Sequence, residues 1–119
     1  MAATIDLFRN ETETAGFEAG EFIFREGDPG EAMYVVVSGS VELSVRGKVV
    51  ETLGSGGVMG EMALVERAPR TATAKALTDC RLAAIPEKRF LFMVQQTPHF
   101  ALQMLRVVVE RLRKMDEKL

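Results

Sequence analysis

Residues 54–74 read GSGGVMGEMALVERAPRTATA, and the rest of the chain is best understood outward from them. A glycine-rich loop, with glycines at 54, 56, 57 and 60, runs into a short segment of helix-compatible residues beginning at Glu61. Pro69 and Arg70 then open a new strand, in which Ala72, Ala74 and Ala76 alternate with Thr73 and Lys75. This loop–helix–strand order has the chemistry of an anion cradle. Glycines let the backbone approach a ligand closely. Amides at the start of 61–65 point outward with partial positive charge. Arg70 presents a planar fork of donors that matches a phosphate better than a lysine does. Glu61 is an acceptor suited to sugar hydroxyls, Thr71 supplies a hydroxyl and Ala72 a backbone amide.

On both sides of this stretch the period is that of strands. Val41, Leu43 and Val45 alternate with Glu42, Ser44 and Arg46, which predicts a strand with one buried face. Met33–Val37 is a short apolar run, read as a more fully buried strand; Phe22 and Phe24 alternate, and Leu82–Ile85 closes the series. Turn signals separate the runs: Gly27-Asp28-Pro29-Gly30, Ser38-Gly39, Arg46-Gly47 and the loop at 54–57. Short strands at this spacing point to a mainly β protein, a jelly-roll barrel or sandwich over about 15–85. After Ile85 the period changes. Phe90, Met93 and Val94 have helical spacing, and Thr97-Pro98 reads as the N-cap and first residue of a second helix reaching the chain end. On it Leu102, Leu105, Val109 and Leu112 draw an apolar stripe, either core or the seam of a homodimer. Residues 1–14 are read as an arm or short helix docked by Ile5, Leu7 and Phe8, and the acidic run from Glu11 to Glu31 as solvated loops and strand edges.

Composition narrows the function classes. With 119 residues there is room for one domain. A net charge of -2 gives no basic excess for direct nucleic-acid binding. No apolar run reaches membrane-spanning length and no signal-peptide pattern follows Met1. The single cysteine, Cys80, precludes an internal disulfide and suits a cytoplasmic setting, and between Asp79 and Arg81 it reads as a plain strand residue. The single histidine, His99, lacks a second ligand or a paired base, so neither a metal nor a catalytic role is expected. The cassette holds no nucleophile–base pair and no metal cluster, so it reads as non-enzymatic; a metal-dependent cupin would need several histidines.

An anionic phosphate beside a diol in a roofed pocket fits a cyclic nucleotide, and GEMALVERAPRTATA resembles the phosphate-binding cassette of the cyclic nucleotide-binding domain family. That family includes bacterial catabolite activator proteins, regulatory subunits of cyclic-AMP-dependent kinase and cyclic-nucleotide-gated channels. AGEFIFREGDPGEAMYVVVSGSVEL resembles the family's first strands, and the tail from Pro86 its last two helices. The resemblance implies that Gly60, Met62 and Ala63 give backbone amides around the phosphate. It implies that Glu61 accepts the ribose 2′-hydroxyl and that Arg70 pairs with the exocyclic phosphate oxygens. Thr71 would lie near phosphate and purine, and Ala72 would add an amide. Leu64 would sense pocket closure against the first C-terminal helix at Phe90. Met59 stands where the family commonly has Phe, and the N-terminal helical segment is short. No helix-turn-helix follows, so a stand-alone sensor signalling to an unknown protein partner is expected, with cyclic AMP favoured over cyclic GMP and no cofactor. Two blander readings stand beside this one. Arg70 and Glu61 form a surface ion pair in the first, and in the second the domain is an interaction scaffold with an empty or non-nucleotide pocket.

Overall fold

Alternation in sequence becomes two four-stranded antiparallel sheets in the computed structural model, which describes residues 7–118. The strands are β1 (Ala15–Phe17), β2 (Phe22–Phe24), β3 (Ala32–Ser38), β4 (Val41–Val45), β5 (Lys48–Leu53), β6 (Val58–Met59), β7 (Thr73–Ala76) and β8 (Cys80–Pro86). The helices are α1 (Glu61–Glu66), α2 (Glu87–Gln96) and α3 (Pro98–Lys118). One sheet has the order β1-β8-β3-β6 and the other β2-β7-β4-β5.

Two apolar clusters fix the layering. Leu43, Val45, Val50, Leu53, Ala74 and Ala76 of one sheet pack with Val36, Met59, Cys80 and Leu82 of the other, forming the core between sheets. Met33, Val35, Val58, Ala83 and Ile85 turn the other way and pack against Phe8, Leu64, Phe90, Phe100, Met104 and Val107. The β1-β8-β3-β6 sheet is therefore covered on both faces, by its partner sheet and by the helices. Burial on both faces is why Met33–Val37 and Leu82–Ile85 read as continuous apolar runs, Ala84 alone among them being exposed, whereas β4, buried on one face, alternates. Among the described residues no helix is long and apolar enough to cross a membrane.

The turn between β4 and β5 uses Arg46 and Gly47, both with positive φ, which matches the right-handed twist of a tight hairpin. A bulge in β5 follows it. Ser44 lies opposite Val49, yet Leu43 lies opposite Glu51, so Val50 is the extra residue. Thr97, between α2 and α3, accepts the N–H of Phe100 at 2.9 Å through its carbonyl, as an N-cap residue does, and Pro98 begins α3 as expected.

Three expectations need correction or narrowing. Phe8 is buried, but Leu7 is half exposed and Ile5 lies outside the described residues, so the arm docks through Phe8 and through Glu11, 3.0 Å from Arg89. Phe22 does not share the inward face with Phe24: a register irregularity lies between them, and Phe22 stays exposed beneath Arg25, 4.0 Å from its ring centroid. The leucine stripe of α3 is not core. Leu102, Leu105, Val109 and Leu112 are 46–62% exposed, and Phe100, Met104, Val107 and Arg111 face inward instead.

Candidate functional site

At the end of β6 the chain reverses direction on Gly60, whose φ of 80° places it in the left-handed region as the N-cap of α1. No side chain caps this helix, so its first amides remain available as donors. Ala63 packs against the turn at Gly30, and the chain leaves α1 through Arg67, also left-handed, to reach Arg70. The Arg70 backbone is pinned to the 27–28 turn: its N–H donates to Asp28 O at 2.8 Å, and its carbonyl accepts from Gly27 N at 2.9 Å. Thr71 and Ala72 follow into β7.

All seven residues expected to bind ligand, Gly60, Glu61, Met62, Ala63, Arg70, Thr71 and Ala72, line one cavity. Phe24 and Leu43 form its floor, and Arg111 and Met115 of α3 its roof. Its volume is about 20 Å³, room for about one water molecule.

Arg70 is 6% exposed. Its Nη1 donates to Gly60 O at 3.1 Å and its Nη2 to Ala32 O at 2.7 Å, while the guanidinium lies 4.2 Å from the Phe24 ring centroid. Its Nε is buried with no acceptor among the described residues. Burial lowers the guanidinium pKa, opposed by nearby Tyr34, Asp28 and Glu61, and arginine keeps its charge. A buried cation with an orphaned donor beside uncapped helix amides suits an anion.

Glu61 is 1% exposed, and its partner is not Arg70 but Arg111. The reading of Arg70 and Glu61 as a surface ion pair is therefore incorrect: both are buried, and each has other partners. Arg111, 4% exposed, donates from Nε to Glu51 Oε1 at 2.9 Å, from Nη1 to Glu61 Oε1 and from Nη2 to Val58 O. Lys114 Nζ lies 3.7 Å from the other Glu51 oxygen. Pairing of this kind offsets the desolvation of the three buried groups, Arg111, Glu51 and Glu61. Leu64 and Phe90 are not at the cavity. They lie in the helix layer, where Phe90 meets Phe100 edge-on at 5.8 Å. Thr71 is exposed at the rim, its hydroxyl 3.9 Å from Met62 Sδ.

Sequence reasoning missed Arg111, Met115, Glu51 and Phe24 at this site. One signal was available: Phe100, Met104, Val107, Arg111 and Met115 recur at helical spacing beside the leucine stripe, with a single charge among them.

The architecture and the cassette have clear counterparts. The model of the family described as "Cyclic nucleotide-binding domain" matches residues 15–97. The chain belongs to this family. The chain is 31% identical over 120 residues to the Cyclic AMP receptor protein of Thermus thermophilus, covering 97% of this chain and 56% of that protein. It is 40% identical over 81 residues to a cGMP-dependent protein kinase, isozyme 2, of Drosophila melanogaster, covering 68% of this chain and 7% of the kinase. The crystal structure of the Thermus thermophilus Catabolite Activator Protein superimposes with a TM-score of 0.80 at 32% identity, over 93% of this chain and 55% of that chain. The bacterial relative thus extends well beyond the part matched, as the kinase does to a far greater degree.

Proposed function

We propose that this domain is a non-catalytic sensor that binds a cyclic nucleotide, cyclic AMP in preference to cyclic GMP, and relays occupancy through α2 and α3 to a partner protein. One observation carries the reading: Arg70 with its orphaned Nε, the uncapped start of α1, Glu61 and Thr71 converge on a single cavity. In this reading Arg70 pairs with the phosphate oxygens, and the amides of Gly60, Met62, Ala63 and Ala72 surround them. Glu61 accepts the ribose 2′-hydroxyl, and Thr71 lies between phosphate and purine. Leu64 transmits the movement of α1 to the helix layer at Phe90. The preference for cyclic AMP is supported by a relative that matches nearly the whole chain and is named for it. The exposed stripe of α3 supports pairing with a second copy.

The interaction-scaffold reading has one observation in its favour, the small cavity, since pockets that enclose a ligand of this size hold about 300 Å³ or more. A thermal-shift titration separates the two. At 100 times its dissociation constant a ligand stabilises the native state by about 2.7 kcal/mol, or roughly 10 °C for a domain of this length. Cyclic AMP is expected to give that shift, cyclic GMP a smaller one and 5′-AMP none. No shift with either cyclic nucleotide at millimolar concentration supports the scaffold.

A further inference from the structure

We propose that Phe24 is a positioning residue for Arg70: its ring face holds the guanidinium in the plane that presents Nε to an anion, and it does so in place of a carboxylate. This role rests on the cyclic-nucleotide reading of the cavity and adds to its machinery a residue outside the 60–72 stretch.

The ring reaches its place through the irregularity of β2. Phe22 lies opposite Lys75 and Phe24 opposite Ala74, so two steps along β2 match one step along β7. The two rings therefore sit on opposite faces of the sheet, and only Phe24 turns inward. Ala74 also lies opposite Leu43 of β4. A row Phe24–Ala74–Leu43 thus crosses the sheet on one face, and its two outer members form the cavity floor. Ala74, fully buried between them, is small enough to leave room for both. Tyr34, from the other sheet, stacks behind the Phe24 ring, with centroids 6.2 Å apart and planes 29° from parallel.

The groups that hold the guanidinium are neutral. Nη1 and Nη2 each give one N–H to a carbonyl, of Gly60 and Ala32, and Cζ lies 4.2 Å from the Phe24 centroid and 5.9 Å from that of Tyr34. Among the described residues no carboxylate forms an ion pair with Arg70. A carboxylate in the place of the ring would take N–H groups as a bidentate partner and would repel a phosphate. A ring face attracts the cation through its quadrupole and uses no N–H. The remaining donors, Nε among them, stay available and keep one direction. Arg70 is thus a buried cation with no contacting counter-ion, oriented before its anion arrives.

Phe24 also belongs to the core between the sheets, so the test must separate orientation of Arg70 from filling of the floor. Phe24→Leu keeps an apolar floor and removes the ring face. It is made in the unchanged protein and beside Arg70→Lys, whose ammonium carries the charge without a plane to orient. Cyclic AMP affinity is read by calorimetry in all four proteins, and the Arg70 Nε–H signal by nuclear magnetic resonance without ligand. Phe24→Leu is expected to weaken binding about tenfold beside arginine, equivalent to about 1.4 kcal/mol, and by less than about twofold beside lysine. The Nε–H signal is expected to lose its ring shielding and to exchange faster with water. Equal losses in the two backgrounds, or Nε–H exchange that stays the same, overturn the proposal. If no cyclic nucleotide binds the unchanged protein, the sensor reading fails, while the Nε–H signal still decides whether Phe24 orients Arg70. Should Phe24→Leu fail to fold by circular dichroism, Phe24→Met replaces it, a flexible apolar filler without a ring, and the same changes are expected.

Discussion

Replacing Gly60 with alanine probes the joint on which the site turns. Gly60 has a φ of 80°, and a methyl group there would fall inside the van der Waals envelope of Arg70 Nη1 and 3.2 Å from Ala32 O. Two costs follow. Holding a residue with a Cβ in the left-handed region costs about 1–2 kcal/mol. Pushing Arg70 off the Gly60 carbonyl forfeits a hydrogen bond from a charged donor, about 1.5–3 kcal/mol. Together these make about 2.5–5 kcal/mol, and at about 4 °C per kcal/mol the melting temperature falls by roughly 10–20 °C. Gly47 is the internal control. Its φ is 79°, but a methyl group there meets nothing within 4 Å, so Gly47→Ala incurs only the backbone cost. The assay is urea denaturation of both variants beside the unchanged protein, followed by cyclic AMP titration. Gly60→Ala is expected to lose at least about 1.5 kcal/mol more than Gly47→Ala, the low end for that hydrogen bond, and it alone is expected to weaken nucleotide binding. Equal destabilisation of the two variants would refute the claim that Arg70 is held against Gly60.

Three further outcomes are expected. Phe100→Ala, which empties the most fully buried position of the helix layer beside Phe90, lowers stability by about 3–5 kcal/mol in urea denaturation. Burial, helped by Asp79 and Glu21, raises the Cys80 thiol above its ordinary 9.0. Because the folded value lies above the unfolded one, the folded state gains nothing from this group's titration below about pH 9 and loses stability as pH rises past it. Cys80→Ala should flatten that alkaline decline, and the native thiol should react slowly with a maleimide at neutral pH. The proposed pairing through α3 predicts a sedimenting mass of two chains for the unchanged protein, and the double variant Leu105→Glu, Val109→Glu, at two exposed positions of the stripe, should reduce it to one with the fold intact. A dimer that survives both charges removes α3 as the seam.

What was legible in the sequence was local. The cassette residues lie between 60 and 72 in one continuous stretch, so their chemistry and spacing could be read together. Val41, Leu43 and Val45 announced their strand because one face of β4 is buried and the other is not. Arg111 and Glu51 were hidden for the opposite reason. They meet each other across 60 positions, and Arg111 meets Glu61 across 50, by way of a bulge that no residue pattern marks. By residue type alone Arg111 is one of several positive charges on the C-terminal helix, beside Arg106, Arg113 and Lys114. The leucine stripe was recognised, yet which face of α3 is core depends on the shape of the sheet beneath it: Phe100, Met104 and Val107 fit against Met33, Val35 and Ile85. Phe22 was misplaced because alternation assumes an unbroken register, and β2 is irregular between its two phenylalanines.

The central claim is that Arg70 at the head of β7 receives the phosphate of a cyclic nucleotide. Calorimetric titration with cyclic AMP, of the unchanged protein and of Arg70→Ala shown by circular dichroism to be folded, tests it most directly. Saturable binding with one ligand per chain, lost in Arg70→Ala, is the predicted result. No saturable heat with cyclic AMP or cyclic GMP at millimolar concentration, or equal binding by the folded variant, would contradict it.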